Sequence, residues 1–341
     1  MATLPENAEF PLPRKRAGAG RFSNSRHAGG LAACNLAVTM RAAGDRPDIA
    51  WRRRVHQENR PMNVRVVDYR APDAAEQFTR SLHETGFGVL TNHPIPQDLV
   101  EKIYAEWLAF FNSEEKFDYA FSMEKQDGWF SPEVSETAKG ATLKDIKEYF
   151  HIYPWGRVPA ALKADADRYY AIANQLAQEL LSWVQQYTPA AIAANYREPL
   201  SHMIADSQQT LLRVLRYPPL TGEEPAGSLR AAAHGDINLL TILPAANEPG
   251  LQVQDKNGDW IDVPCDFGTL VVNIGDMLQE ASAGFYPSTQ HRVVNPTGEG
   301  AKKSRVSLPL FLHPRPEVVL SDRHSAGSYL DERLRELGVK M

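Results

Sequence analysis

The stretch that decides the fold is residues 229–312. It begins LRAAAHGDINLLTILP (229–244) and continues through GLQVQ (250–254), TLVVNIGDML (269–278), QHRVVN (290–295) and RVSLPLFL (305–312). Short apolar runs separated by turn residues, as here, are typical of antiparallel strands. Strands are predicted at Thr210–Tyr217, Ile237–Leu243, Gly250–Gln254, Trp260–Val263, Thr269–Ile274, Gln290–Asn295 and Arg305–Leu312. Seven short strands at this spacing along the sequence predict a double-sheet jelly roll.

Upstream of these strands the pattern is mainly helical. A strand at 64–68 precedes an amphipathic helix at 74–85, which ends at Gly86. Further helices are predicted at about 97–111, 159–187, 189–204 and 327–337, a short strand at 87–90, and a loop at 120–143. We expect the helices to pack on the outer side of the sheets. The predicted fold class is therefore α+β or mainly β.

Composition restricts the class of protein. The 341 residues are 43% hydrophobic and carry a net charge of −5, with two cysteines, and no run of eighteen uncharged apolar residues occurs. This composition predicts a globular protein without a transmembrane helix, in a reducing, cytoplasmic setting. Residues 62–341 carry −11, which disfavours nucleic acid as a partner. A monomer is the default expectation.

The first 61 residues differ in character from the rest. They hold eleven basic and five acidic residues and show no helical or alternating period. A disordered or mis-started extension is the preferred interpretation, with a transit peptide or a nucleic-acid-binding arm as alternatives. The domain is predicted to begin at Met62 as a single unit with a helix-rich part (62–205), a jelly-roll core (206–314) and a C-terminal helix (315–341).

Two histidines and one aspartate are candidate metal ligands. His234 and Asp236 are two residues apart, which in a strand puts both side chains on one face. His291 begins a later strand that can return beside the first in a jelly roll. Two imidazoles and a carboxylate leave coordination positions open, as in non-haem Fe(II) oxygenases. Hydrolytic zinc sites use a similar set and are the alternative.

A second group could hold a carboxylate. Arg305 and Ser307 are again two apart, so a guanidinium and a hydroxyl would share one face. Such a pair can bind a carboxylate through several hydrogen bonds. Tyr217 could add a phenol. The aromatic residues Trp129, Phe130, Phe150 and Phe311 are candidates for a substrate pocket.

Taken together, these motifs resemble the isopenicillin N synthase-like family of Fe(II)/2-oxoglutarate-dependent oxygenases. The resemblance is carried by HGD (234–236), GLQV (250–253), Trp260, VVNIGDML (271–278), HRV (291–293), RVS (305–307) and, upstream, GFGVLTNH (86–93) and KE (147–148). It spans about Val64 to Pro314.

The resemblance implies a distorted double-stranded β-helix with helices outside. It implies Fe(II) on His234, Asp236 and His291, and 2-oxoglutarate on Arg305, Ser307 and Tyr217. The expected reaction consumes O2 and decarboxylates 2-oxoglutarate to succinate and CO2 while a small organic substrate is hydroxylated, desaturated or cyclised. Alternatives are ethylene formation from 2-oxoglutarate, an oxidase without 2-oxoglutarate, and a metal-bound sensor or binding module without turnover.

Overall fold

The computed structural model describes residues 63–122, 124–134, 143–264 and 266–336. Within these ranges the strands are β1 (Val66–Asp68), β2 (Phe87–Thr91), β3 (Gly128–Phe130), β4 (Glu148–Ile152), β5 (Leu211–Tyr217), β6 (Ala231–His234), β7 (Leu240–Pro244), β8 (Leu251–Gln254), β9 (Trp260–Asp262), β10 (Leu270–Ile274), β11 (His291–Val293), β12 (Arg305–Ser307) and β13 (Leu310–Leu312). The helices are α1 (Ala74–Thr85), α2 (Gln97–Phe111), α3 (Ala160–Tyr187), α4 (Ala190–Ala193), α5 (Leu200–Met203), α6 (Asp276–Ala281) and α7 (Ala326–Glu336). The predictions for residues 1–61 and for a domain start at Met62 lie outside the described residues.

The strands form two sheets. The larger has the order β1-β2-β10-β7-β13-β5-β4-β3, with β12 also paired to β5, and the smaller has the order β6-β11-β8-β9. Inward-facing residues of both sheets share one apolar cluster, including Val89 and Val271 from the larger sheet and Val253 and Val293 from the smaller. This double-sheet arrangement confirms the predicted jelly roll.

The helices cover the outer face of the larger sheet. Phe78 of α1, Trp107 of α2 and Leu180 of α3 are buried in one core cluster with Ile242 and Val272 of the sheet. Alternate residues of a strand point to opposite faces, so the neighbours of Ile242 and Val272 along their strands face the smaller sheet instead. The prediction of helices on the outer side is confirmed. None of the described helices is both long enough and apolar enough to cross a bilayer.

Several predicted elements differ from the structure, among them the strand predicted at Ile237–Leu243, which begins only at Leu240 as β7. The strand predicted at 305–312 is interrupted at Pro309, because proline has no N–H to donate to a ladder. The helix predicted at 189–204 is two short helices, α4 and α5, since Pro199 disfavours a helical conformation at the residue before it. The predicted loop at 120–143 contains β3, whose three residues are too few to show a period.

Candidate active site

The two candidate histidines lie on neighbouring strands of the smaller sheet. His234 is the last residue of β6, His291 is the first residue of β11, and the two are direct partners in the antiparallel ladder. Their ring centroids are 4.4 Å apart. The prediction that the later strand returns beside the first is therefore confirmed.

Asp236 lies near the two histidines as predicted, but it is not on the same strand as His234. Strand β6 ends at His234, so the argument that two residues of one strand share a face was wrong. Asp236 lies in the turn that follows, where its carbonyl oxygen accepts a 2.7 Å hydrogen bond from the backbone N–H of Asp276 at the start of α6. A Cβ on Gly275 would lie 2.2 Å from the carbonyl oxygen of Asn238, so this close approach requires glycine.

The three side chains form a possible metal site. One ligand atom from each of His234, Asp236 and His291 lies within 4.8 Å of the others, and His291 Nε2 is 3.8 Å from Asp236 Oδ1. The Nδ1 atoms of the histidines lie 2.8 Å from the Ala232 carbonyl and 3.2 Å from the Thr289 carbonyl. Each Nδ1 therefore carries the proton and donates it to a carbonyl, which leaves both Nε2 lone pairs for a metal. This donor set fits Fe(II).

The carboxylate of Asp236 is held at one oxygen. Its Oδ2 accepts hydrogen bonds from Thr241 Oγ1 at 2.5 Å and from Asn273 Nδ2 at 2.8 Å, and the Thr241 hydroxyl in turn accepts one from Asn238 Nδ2. Burial acts to raise the pKa of Asp236. The two nearby histidines and the two hydrogen bonds outweigh it and hold the pKa below the usual value. Asp236 is therefore ionised, with Oδ1 left facing the histidines.

Protonation of His234 is also disfavoured. Burial is the largest cause, and repulsion from His291 adds to it, so the pKa of His234 falls to about 4. A neutral imidazole is the form that binds a metal, so His234 does not have to release a proton near neutral pH.

The candidate metal site opens into a cavity between the two sheets. Arg305, Ser307 and Tyr217 all line it together with the three candidate ligands. Arg305 and Tyr217 are direct partners across β12 and β5, and the Arg305 guanidinium carbon is 5.2 Å from the Tyr217 ring centroid. Arg305 Nε donates to the Glu248 carbonyl, while Nη1 is buried and has no hydrogen-bond partner among the described residues. A buried guanidinium N–H of this kind fits an incoming carboxylate.

A second buried arginine lies next to Arg305. Arg230, just before β6, is 0% exposed and donates from Nη2 to the Lys303 carbonyl, while its Nε and Nη1 have no partner within the described ranges. Burial lowers the pKa of Arg230, and repulsion from Arg305 contributes. Arg230 does not itself line the cavity, but a second guanidinium in this buried region favours an anion beside Arg305.

Comparison with known proteins agrees with this geometry. Residues 207–314 match the family model of the 2OG-Fe(II) oxygenase superfamily, and residues 64–176 match that of the N-terminal region of the non-haem dioxygenase in morphine synthesis. A solved 2OG-Fe(II) oxygenase family protein from Caulobacter crescentus is 30% identical, with a TM-score of 0.68 over 80% of this chain and 99% of that one. The chain belongs to the 2OG-Fe(II) oxygenase superfamily.

Other relatives of this oxygenase extend the comparison. A solved protein from Shewanella oneidensis, assigned as an oxygenase, is 59% identical, with a TM-score of 0.74 over 81% of this chain and 99% of that one. The proline hydroxylase buaE of Petromyces alliaceus is 28% identical over 293 residues, which is 75% of this chain and 89% of that protein. The predicted enzyme class and the use of Fe(II), 2-oxoglutarate and O2 are confirmed by the family.

The four predicted pocket aromatics of the oxygenase fall in different places. Phe311 lines the cavity. Trp129 and Phe150 are paired across β3 and β4 on the face that meets the helices, where Phe150 packs 5.0 Å from the Trp107 ring, so neither lines it. Phe130 points to the other face and stacks on Tyr149 at 4.6 Å, outside the set of cavity-lining residues. The alternation of the two strands is the reason for this division.

Several residues of the site were missed by sequence reasoning. Thr241 and Asn273, which hold Asp236, lie in the LLTIL and VVNIGDML segments but carry no metal-ligand signature of their own. Arg230 precedes HGD by only a few residues and has no sequence signal. Arg213 lines the cavity with Tyr217 and lies four residues before it on the same strand, so the period of two could have found it.

Proposed function

We propose that His234, Asp236 and His291 bind the Fe(II) of this oxygenase, and that Arg305, Ser307 and Tyr217 bind the far carboxylate of 2-oxoglutarate. The unpartnered, buried Nη1 of Arg305 carries the proposal, because it lies in the same cavity as the three candidate ligands. Leaving such a donor without an acceptor costs about 1–3 kcal/mol, which a bound carboxylate removes.

When bound, Fe(II) with 2-oxoglutarate and O2 supplies the oxidation: the keto acid becomes succinate and CO2, and a C–H bond of a small organic substrate is oxidised. The protein residues orient the reactants. Arg305 and Ser307 fix one end of the co-substrate, while the carbonyl acceptors of Ala232 and Thr289 keep each histidine turned with Nε2 toward the metal. Apolar side chains, among them Leu215, Leu243, Leu251 and Val293, line the cavity and exclude water.

Anaerobic absorption spectroscopy tests the two roles together. Fe(II) and 2-oxoglutarate are added to the wild type, to Arg305→Gln and to Arg216→Gln. Arg216 is the matched control, since it lies on the opposite face of β5 and pairs with Glu148 at 2.7 Å. We expect a visible charge-transfer band in the wild type and in Arg216→Gln, with a much weaker 2-oxoglutarate affinity in Arg305→Gln.

Two outcomes would contradict the proposal. Binding of Fe(II) without a band in the wild type would favour an oxidase that does not use 2-oxoglutarate. An unchanged 2-oxoglutarate affinity in Arg305→Gln would remove Arg305 from the co-substrate site.

We further propose that the oxygenase acts as a cytoplasmic monomer. Only two cysteines occur in the chain, at positions 34 and 265, which suits a reducing compartment. Light scattering coupled to size-exclusion chromatography tests the oligomeric state, and a mass near 38.0 kDa is expected.

A further inference from the structure

Strand β6, which carries His234, is irregular just before that residue. In the ladder with β11, His234 pairs with His291 and Ala231 pairs with Val293, and the register shifts between the two pairs. Two residues of β6 therefore lie opposite one residue of β11, which is the arrangement of a β-bulge. A bulge leaves one residue unpaired in the ladder and re-aims the side chains next to it. The direction of the His234 side chain therefore depends on how this bulge is held.

Asp145 holds the first residue of the bulge, Ala232. The backbone N–H of Ala232 donates a 2.8 Å hydrogen bond to Asp145 Oδ1. The carbonyl of the same residue accepts a hydrogen bond from His234 Nδ1, also at 2.8 Å. Ala232 is thus fixed at both of its backbone polar groups, at one by the aspartate and at the other by the candidate metal ligand. A shift of Ala232 would move the acceptor that keeps Nε2 of His234 turned toward the metal.

The segment that carries Asp145 is itself tied to the chain just before β6. The backbone N–H of Ile146 donates a 3.0 Å hydrogen bond to the Leu229 carbonyl. Strand β6 lies at one end of the order β6-β11-β8-β9, so it is an edge strand of the smaller sheet. Edge strands present backbone groups that other parts of the chain can pair with. The contact between Ile146 and Leu229 therefore leaves the Asp145 carboxylate little freedom to move away from the bulge.

Lys147, which lines the cavity, neutralises the charge of this aspartate. Its Nζ forms a 2.8 Å ion pair with Asp145 Oδ2, and the side chains of Lys147 and Asp145 are buried, with 9% and 4% of their surface exposed. Each carboxylate oxygen thus has a donor of its own, the lysine at Oδ2 and the Ala232 N–H at Oδ1. Replacing a buried ion pair by apolar side chains is often neutral or even stabilising. The geometry that the pair imposes on β6 therefore explains its place better than a gain in stability does.

We propose that Asp145, with Lys147 as its counter-charge, is a positioning residue for the metal site, because it holds the bulge of β6 that aims His234. The proposal rests on the proposed function, in which His234 is a metal ligand. His291 provides an internal reference. Its Nδ1 lies 3.2 Å from the carbonyl of Thr289, in a different segment of the chain. Loss of the Asp145 carboxylate should therefore disturb one metal-bound histidine and leave the other as it is.

Proton NMR of the protein loaded with Co(II) in place of Fe(II) tests this inference. The Nδ1–H protons of metal-bound histidines give separate exchangeable signals, which the paramagnetic ion shifts away from the other resonances, and we expect two in the wild type. In Asp145→Ala the N–H of Ala232 loses its acceptor, so one signal should shift or exchange faster with water while the other stays in place. A residue that directly orients a metal ligand is worth about 10–100-fold in metal affinity; since Asp145 acts one hydrogen bond further away, we expect Co(II) to bind about threefold to tenfold more weakly.

Two further variants separate the hydrogen bond from the charge. In Asp145→Asn the side chain keeps one acceptor atom, for which the Lys147 ammonium competes with the Ala232 N–H. The charged donor is the stronger of the two, so we expect Asp145→Asn to resemble Asp145→Ala. In the double variant Asp145→Asn, Lys147→Met the competitor is gone and the amide oxygen can accept from Ala232, so the wild-type signals and Co(II) affinity should return. The comparison of Asp145→Asn with this double variant decides the question even if Asp145→Ala does not fold.

Asp127→Ala is the matched control. Asp127 is 1% exposed, accepts the backbone N–H of Arg157 at 2.7 Å and forms an ion pair with the side chain of the same residue, but neither residue lines the cavity. Its replacement should leave both histidine signals and the Co(II) affinity unchanged. Wild-type signals in the single variants of Asp145 would overturn the proposal, and so would equal shifts of both signals, which indicate a general loosening of the fold. A wild-type protein that binds no Co(II) would overturn the proposed metal site, and this inference with it.

Discussion

Replacement of Thr241 by valine tests whether the hydrogen bonds behind Asp236 matter for the metal. Thr241 is buried, with 2% of its surface exposed, and its Oγ1 donates a 2.5 Å hydrogen bond to Asp236 Oδ2. Valine keeps the shape of threonine but removes the hydroxyl. Oδ2 then keeps only the hydrogen bond from Asn273, and the carboxylate can rotate so that Oδ1 no longer faces the histidines.

The expected loss of Fe(II) affinity follows from the hydrogen bond that Asp236 keeps in this variant. Loss of a residue that orients a metal ligand costs about 10–100-fold in metal affinity. Because Asn273 still donates to Oδ2 at 2.8 Å, we expect the lower end, about tenfold weaker Fe(II) binding. Asn238 Nδ2 also loses its acceptor, so the metal-free variant should be about 1–3 kcal/mol less stable.

The assay is an anaerobic Fe(II) titration with 2-oxoglutarate in excess, read from the charge-transfer band, together with chemical denaturation of the metal-free protein. Thr79→Val is the control, since Thr79 is buried on α1 and its hydroxyl has no partner among the described residues. If Thr241→Val and Thr79→Val bound Fe(II) equally well, the hydrogen bond to Oδ2 would have no part in holding the metal, and the reasoning would fail.

Three further predictions follow from the same geometry. Ser307→Ala should weaken 2-oxoglutarate binding about tenfold, measured by titration of the charge-transfer band, because one donor to a carboxylate is lost; an unchanged affinity would remove Ser307 from the site. Gly275→Ala should destabilise the protein by about 1–3 kcal/mol in chemical denaturation, since the new Cβ overlaps the Asn238 carbonyl; wild-type stability would contradict the overlap. Burial lowers the pKa of His313 to about 4, so at this residue the unfolded chain binds a proton more tightly than the folded protein does. The free energy of unfolding of the metal-free protein should therefore fall as the pH drops from about 6.5 to 4, and this histidine should contribute up to about 3 kcal/mol to the fall. His313→Gln should reduce that fall, and an identical pH profile would refute the assignment.

The candidate metal site could be predicted from the sequence because two of its residues lie on strands whose pairing the jelly roll dictates. His234 and His291 are ladder partners, so the later strand had to return beside the first. For Asp236, the sequence predicted the residue but not its position in the fold. The turn that carries it is held by hydrogen bonds between the start of α6 and residues 236–238, which leave no periodic pattern in the sequence.

The walls of the cavity were harder to predict for a physical reason. Trp129 and Phe150 are aromatic, as pocket residues often are. Strand β3, however, has only three residues, so its sequence is too short to show which of its faces is turned toward the cavity. Both faces of the larger sheet are covered, one by helices and one by the smaller sheet, so burial alone does not tell an aromatic of the core from one of the cavity. Only the register across β3, β4 and β5 decides between them.

Strand β5 carries one wall of the cavity. Tyr217 lies beside Arg305 at one end of the cavity and Arg213 beside Phe311 at the other, with Leu215 between them. Since the period of two leaves no freedom to move one of these residues without the others, a one-residue slip of β5 would turn all three side chains toward the helices. The pairings of β5 with β4, β12 and β13 therefore decide which of its side chains line the cavity, and they place Tyr217 beside Arg305.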